Sequence, residues 1–272
     1  MLKFPIYYNI CARFLNGMLA PLGTAPEKVA TPTPDMHCRP MAGALTESLL
    51  LPHGPTRVHW RRSARARRVS LRIDPREGSV IVTLPLKTAQ AAGRALLMEH
   101  ASWVADRLAR LPPPIVLTDG AEVPLDGQLL VVQHAPGGRG TRLVDGALLV
   151  SGDAAFLPRR VLDFVRAEAR RRLAAAAILK AEGAGLQVRR VVVKDTRTRW
   201  GSCTADGTLM FSWRLIMAPP EVQDYVVAHE VAHLRHMDHS PRFWALVQSL
   251  TPHRATAMRW LARGGAGLMR IG

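Results

Sequence analysis

The sequence predicts a fold that mixes short β-strands with α-helices, and three observations support this. Residues 57–74 and 79–86 have the composition of strands and are separated by the turn-forming sequence DPREG. Residues 88–111 place apolar side chains at spacings that share one helical face. Residues 157–182 predict a long helix with a proline in its first turn, and this helix is expected to end at Gly183.

The remaining elements are predicted from their turns and from helix start signals. Residues 115–135 and 141–152 predict short strands that are broken at DG and GG. VRRVVVKD predicts a strand, TRTRWGSC a loop, and LMFSWRLIM a further strand. Residues 218–237 predict a helix with prolines in its first turn, and Ser240 and Pro241 predict the N-cap and first residue of another.

The composition divides the chain into three expected parts. Residues 1–55 carry few charges and include the Pro- and Thr-rich TAPEKVATPTPDMHCRP. We expect them to form a flexible extension, which the native protein lacks if translation starts at Met36 or Met41. Residues 56–150 are expected to form a β-rich region, and residues 151–272 a region with the candidate catalytic residues.

The overall composition restricts the class of protein. The chain has 272 residues, of which 48% are hydrophobic, and a formal net charge of +16. The charge favours anionic partners, nucleic acid first, unless the arginines simply form solvated surfaces. Three dispersed cysteines make neither a disulfide framework nor a cysteine zinc site, and they fit a reducing, cytoplasmic setting. No apolar run is long enough to span a membrane, and the first residues make a poor signal peptide.

The stretch VVAHEVAHLRHMDHSPRFW, residues 226–244, contains the pattern H-E-x-x-H. His229 and His233 lie four residues apart, so on a helix their imidazoles share one face and can bind one metal ion. Glu230 is rotated about a quarter turn from His229 and can reach a metal-bound water without being a ligand. Burying these three side chains in an otherwise apolar helix is costly without a partner, which favours a metal site over chance.

A third ligand is needed, and it is expected to be a histidine. After Glu230 the chain contains no glutamate, and Asp238 is its one remaining carboxylate side chain. His236 lies roughly 10 Å along a straight helix axis from His229, which is too far for both to bind one ion.

His239 is the favoured third ligand. The helix is expected to end between His236 and Ser240, so the chain can turn and bring His239 back to the metal. His253 is the second choice. Asp238 is expected either to orient a ligand imidazole or to cap the turn.

These residues resemble a known family. RWGSC (199–203) and residues 211–244 are similar to the YgjP-like metal-dependent hydrolases, which are grouped with SprT-like and other zincin metallopeptidases. The resemblance covers roughly residues 56–262. It implies an α+β fold, with a zincin-like metallopeptidase domain and a small N-terminal β subdomain. It also implies Zn²⁺ as the metal and assigns the site: the ligands are His229, His233 and His239, and the base is Glu230.

The chemistry expected from this set is that of a zinc-dependent hydrolase of the metallopeptidase type. Three histidines leave one position on zinc for water, whose pKa the ion lowers from 15.7 toward about 7. Glu230 is expected to take the proton and deliver it to the leaving group. The residues expected to bind the substrate are Arg197, Arg199, Trp200, Gly201 and Tyr225, with core packing as the alternative for Trp200 and Tyr225. The candidates for stabilising the oxyanion are Arg197, Arg199, Tyr225 and His253.

Three hypotheses for the function stay open at this point, and two of them differ in the substrate. The first is a protein or peptide, with DNA or RNA bound by the Arg57–Arg72 cluster beside His59 and Trp60. The second is a nucleotide or another phosphoester, hydrolysed with help from Arg197 and Arg199. The third is a non-enzymatic nucleic-acid-binding module with a structural zinc, which an open three-histidine site disfavours. No membrane partner is expected, and the oligomeric state is not predicted.

Overall fold

The structure is a computed structural model that describes residues 9–11, 45–52 and 54–272. Its contacts divide the described chain into two compact units. One consists of Pro75–Glu77 with Arg110–Gly272, and the other of Gly78–Ala109 with the described residues before Pro75. In the described part of the chain, no helix is both long and apolar enough to cross a membrane.

The smaller unit is a mixed five-stranded sheet with two helices. Its strands lie in the order β1-β4-β5-β3-β2, and the helices α1 and α2 follow β5. Alternate residues of the central strands are buried, which is the expected result of the two-residue strand repeat. The bounds are β1 (Asn9–Cys11), β2 (Leu45–Leu51), β3 (Gly54–Ser63), β4 (Ser70–Asp74), β5 (Ser79–Pro85), α1 (Gln90–Glu99) and α2 (Ala101–Ala109).

Three features of this unit differ from the expectations. Residues 57–74 form two strands rather than one, and the turn between Ser63 and Ser70 carries the exposed side chains of Arg65, Arg67 and Arg68. The helix expected at 88–111 is two helices that meet at His100. Leu45–Leu51, within the expected extension, pairs along its whole length with β3. Residues 12–44, with the linker and both alternative start sites, lie outside the described residues.

The larger unit contains two sheets and four helices among its described residues. Strands β6 to β9 form a sheet in the order β6-β7-β9-β8, and β10 to β12 form a second sheet in the order β10-β12-β11. The bounds are β6 (Glu122–Leu125), β7 (Gln128–Ala135), β8 (Thr141–Val144), β9 (Ala147–Ser151), α3 (Leu157–Gly183), β10 (Arg190–Lys194), β11 (Gly201–Cys203), β12 (Thr208–Ser212), α4 (Pro220–Ala232), α5 (Pro241–Leu250) and α6 (Arg254–Leu268). The strands β6 to β9 therefore lie in this unit, although they fall within the β-rich region expected at residues 56–150.

Helix α3 is the scaffold of this unit. Its buried side chains recur every fourth residue from Leu157 to Ala181, which gives one apolar stripe along the entire helix. Three of the seven buried positions are alanines, so neighbouring elements approach closely. Helix α4 and the segment that precedes it pack against α3. This packing encloses α4, the helix that carries the H-E-x-x-H residues.

The strand expected at residues 209–217 ends early. It stops at Ser212 and continues as a short 3-10 helix, Trp213–Met217, in which every side chain is buried. One of these is Arg214, which is 1% exposed. Its guanidinium forms an ion pair with Asp195 and donates to the carbonyl of Ile271 from Nη2 at 3.0 Å. The buried charge is therefore compensated, and it ties the 3-10 helix to the end of the chain described here.

Replacing Arg214 with methionine is expected to lower the free energy of unfolding by about 2–4 kcal/mol. The buried carbonyl of Ile271 would lose its donors, and Asp195 would lose one of its two arginines. Urea denaturation measures the effect. Arg171→Met on the exposed side of α3 is the control and should change stability by less than about 0.5 kcal/mol. Equal effects of the two variants would contradict this role.

The effect of Arg214→Met should also depend on pH. Burial raises the pKa of Asp195, but hydrogen bonds and charge from Arg214 and Arg76 outweigh it and leave the pKa below its ordinary value. A carboxyl with a lowered pKa stabilises the fold above its unfolded pKa of about 3.9 and loses that contribution as the pH falls. The stability difference between the wild type and Arg214→Met should therefore narrow below about pH 4.

Candidate metal centre

Helix α4 carries the first two candidate ligands and is buried on nearly all sides. Ten of its thirteen residues are buried, including His229 and Glu230, each 0% exposed. Pro220 stands at its first position, where a missing N–H costs nothing. The helix ends at Ala232, and His233 is its C-cap. This end comes earlier than expected, because the last turn tightens: the amides of Leu234 and Arg235 bond to carbonyls three residues back.

The early helix end determines how His233 presents its ring. Its Nδ1 donates to the backbone carbonyl of His236 at 2.8 Å. Since the carbonyl can only accept, this bond places the proton on Nδ1 and leaves Nε2 as the free donor to a metal. The side chain of His236 lies outside the histidine cluster, as expected, although the chain is no longer helical there.

His239 joins the two helical histidines. Candidate ligand atoms of His229, His233 and His239 all lie within 4.8 Å of one another, and the Nε2 atoms of His229 and His239 are 3.2 Å apart. The turn that brings His239 back is stabilised by Asp238, whose Oδ1 accepts from the amide of Ser240 at 3.3 Å. Ser240 in turn caps α5, because its hydroxyl accepts from the amide of Phe243. The three histidines could therefore hold one metal ion.

Two aromatic side chains of α5 surround this cluster. The ring of Phe243 lies 4.5–4.8 Å from each of the three imidazoles, measured between ring centroids. Trp244 stacks on His239 with an interplanar angle of 26°. These rings restrict the imidazoles and reduce solvent access. The sequence analysis assigns no role to Phe243 and Trp244, although both lie in the first turn of α5, whose start at Ser240 and Pro241 is predicted.

Burial keeps the histidines neutral. It lowers the pKa of His229 to about 2, with further lowering from the charges of His233 and His239, and it lowers the pKa of His233 to about 4. The more exposed His239 is lowered as well, again through burial. Neutral imidazole is the form that donates to a metal ion. The donor set, three neutral imidazoles of which two are buried, therefore fits a metal.

Glu230 lies beside the cluster in an unusual environment for a carboxyl group. Among the described residues, neither of its two oxygens has a hydrogen-bond partner, although both are buried. Burial raises the pKa of Glu230 to about 8, against the lowering effect of Arg199. Buried carboxylates are normally hydrogen-bonded, so a group without protein partners points to a ligand or to water as its partner.

Gly201 on β11 makes room for Glu230. A Cβ atom at this position would come within 2.6 Å of Glu230 Cγ and 2.6 Å of its Oε1. The backbone of β11 therefore lies directly against the carboxyl group, and no larger side chain fits there without movement. The close backbone contact at Gly201 is therefore with the Glu230 side chain.

The other residues expected at the substrate differ in their positions. Arg197 is mostly exposed and lies 3.6 Å from Glu77, while Arg199 is close enough to influence Glu230. Trp200 is 1% exposed and packs near Gly265, which fits core packing. Tyr225 is also buried, and its ring lies 6.1 Å from that of His229. Neither aromatic residue offers an exposed surface for a substrate.

Arg254 also lies near the site, and the sequence does not predict it there. Arg254, at the start of α6, lies over the ring of Trp244 with Cζ 3.7 Å from the ring centroid. Its charge also acts on Tyr225 and His229. The preceding residue, His253, is the N-cap of α6 and is not part of the histidine cluster. No local sequence signal identifies Arg254, because its approach depends on how α5 and α6 pack.

Comparison with known proteins assigns the chain to a family. A family model described as YgjP-like, metallopeptidase domain, matches residues 67–264. None of the curated proteins searched matches the chain. Among solved structures, the metallopeptidase zymogen of Pyrococcus abyssi abylysin is 21% identical, with a TM-score of 0.31, over 34% of this chain and 93% of that chain.

Replacing Gly201 with alanine is expected to lower kcat/KM for peptide hydrolysis roughly 100-fold, because the new methyl group displaces the Glu230 carboxyl. The free energy of unfolding should fall by about 1–3 kcal/mol. The matched control is Gly183→Ala at the end of α3, where an added Cβ meets nothing within 4 Å. Full activity in Gly201→Ala would show that the position of Glu230 is unimportant.

Proposed function

Because the chain belongs to the YgjP-like metallopeptidase family, we propose that it is a zinc-dependent peptidase with its active site at His229, His233 and His239. One observation carries this proposal. Three neutral imidazoles converge beside a buried carboxyl group that has no partner among the described residues. A metallopeptidase domain implies a protein or peptide substrate.

Zinc suits the donor set better than the hard divalent ions do. Three imidazole nitrogens favour zinc and other transition metals, whereas magnesium and calcium prefer oxygen ligands. When bound, zinc acts as a Lewis acid that polarises a carbonyl and makes water more acidic. The protein contributes the tautomer of His233, fixed by the His236 carbonyl, and the restricted rings of His229 and His239.

Glu230 is proposed as the general base. It follows His229 directly in α4, so its side chain leaves the helix about a quarter turn away from that of His229, and it is not one of the three ligands. It would take a proton from the attacking water and return it to the amine leaving group at the same carboxyl oxygen. Gly201 fixes the space in which this carboxyl moves.

We also propose that the protein binds DNA or RNA through its exposed arginines. Five arginines lie at or beside the turn between β3 and β4, and all are exposed: Arg61, Arg62, Arg65, Arg67 and Arg68. Such a group supplies phosphate contacts whose affinity falls steeply with salt. Trp60 does not assist by stacking, because it is 5% exposed and donates to Glu47. A salt-independent affinity for DNA or RNA would remove this part of the proposal. A cytoplasmic location remains a prediction.

Glu230→Gln is expected to lower kcat/KM for peptide hydrolysis by at least about 100-fold, because glutamine cannot accept the proton. Glu221→Gln, the same change in the first turn of α4, is the matched control and should retain activity. Peptides and nucleoside triphosphates are assayed side by side with both variants. Glu230-dependent turnover of triphosphates without peptide cleavage would favour a phosphoester hydrolase instead.

Zinc should stabilise the folded protein, and His239 should be needed for this effect. At a free zinc concentration 100-fold above Kd, the gain is about 2.7 kcal/mol, which raises Tm by roughly 5–10 °C. His239→Ala should lose most of the shift, because one ligand is gone. His236→Ala is the control and should keep it, since that side chain lies outside the cluster. An equal loss in both variants would argue against the assigned ligands.

A further inference from the structure

Arg254 is an exposed cation at the edge of the candidate active site, and no carboxylate neutralises it. Among the described residues, no acidic side chain lies within ion-pair distance of its guanidinium. Helices α5 and α6, which flank it, contain no aspartate or glutamate. Asp224 on α4 is already paired with Lys180 at 2.8 Å. The positive charge of Arg254 is therefore available to an anion from outside the protein.

The guanidinium is held in place by the aromatic group at the metal centre. Its Cζ lies 3.7 Å from the centroid of the Trp244 ring, a cation–π contact, and Trp244 in turn stacks on His239 at 5.6 Å. The charge of Arg254 also acts on Tyr225, whose pKa it lowers against the raising effect of burial. An arginine fixed in this way loses less conformational entropy when it binds a ligand than a free surface arginine does.

A cavity lies beside Arg254. It has a volume of about 640 Å³ and is lined by Gln248, Thr251, Pro252, Arg254, Ala255 and Met258. The lining has no acidic residue, and the cavity adjoins the N-terminal end of α6, where the helix dipole also favours negative charge. The polar groups and the volume suit a side chain or chain end of a substrate that carries an anionic group.

We propose that Arg254 and this cavity bind a carboxylate of the peptide substrate, either the side chain of an acidic residue or the free C-terminus. This inference rests on the proposed peptidase function. Arg254 would make the enzyme selective for peptides that carry a negative charge at a fixed distance from the cleaved bond. The two contacts that link His239 to Arg254 through Trp244 place the guanidinium at most roughly three residues of an extended peptide from His239. Arg254 thus determines specificity rather than the chemical step.

The test uses the full zinc-loaded chain and four versions of one peptide. They carry glutamate or glutamine near the cleavage site, and a free or amidated C-terminus. A series in which the glutamate is moved along the peptide gives the distance. The wild type should prefer one of the carboxylates, in kcat/KM, by about tenfold to hundredfold over its neutral counterpart. The preferred partner identifies the source of the anion.

Arg254→Met should abolish this preference, measured within each variant as the ratio of kcat/KM for the charged peptide to that for its neutral counterpart. Arg254→Lys should restore part of it, which a purely structural role would not produce. Arg259→Met, also on α6 but outside the cavity lining, is the matched control and should keep the full preference. A thermal melt of each variant shows whether it is folded.

A measurement of peptide binding without cleavage distinguishes failure of the anion site from failure of the proposed peptidase function. The affinity of the same labelled peptides for zinc-loaded Glu230→Gln, with and without Arg254→Met, is measured by fluorescence anisotropy. If no peptide is cleaved by the wild type but the Arg254-dependent affinity difference persists, the peptidase proposal fails and the anion site stands. A preference that survives Arg254→Met, or the absence of any charge preference in both cleavage and binding, would overturn the inference.

Discussion

The structure depends on the burial of three polar side chains at the end of one enclosed helix. His229 and Glu230 lie in α4 and His233 is its C-cap, each at most 1% exposed. Burial of this kind is costly unless the groups have partners. In the proposed site, the two buried histidines would share a metal ion with His239. The cost of burial and the capacity to bind a metal are thus two aspects of one arrangement.

The surrounding fold maintains this arrangement through close packing. The alanines in the buried stripe of α3 let α4 approach, and Gly201 lets β11 lie against Glu230. Phe243 contacts all three imidazoles and holds the exposed His239 near the buried pair. The buried Arg214 fixes the 3-10 helix that leads into α4. Each contact restricts a side chain whose position matters for hydrolysis of a peptide bond.

Local sequence patterns predict much of this molecule, and their failures have physical causes. The H-E-x-x-H spacing, the prolines before α4 and the Ser240 cap depend on neighbours along the chain, so they could be identified in advance. The helix end at Ala232 could not, because a tightened last turn competes with an apolar pattern that continues. The mixed α+β fold and the family are confirmed.

Interactions between distant segments are the part that sequence reasoning did not predict. Gly201 and Glu230 meet across a strand and a helix, and Arg254 reaches Trp244 only because α5 and α6 pack together. The paired strand Leu45–Leu51 is a similar case, since its composition alone resembles that of an extension. Each depends on a tertiary contact that no spacing in the chain encodes.

The proposed function requires one zinc ion bound by His229, His233 and His239. X-ray absorption spectroscopy of the zinc-loaded protein at the zinc edge measures this coordination. We expect a shell of three imidazole nitrogens at about 2.0–2.1 Å with one further light atom, reduced to two imidazoles in His239→Ala. A sulfur shell near about 2.3 Å, or a spectrum without imidazole scattering, would show that these residues do not hold the ion.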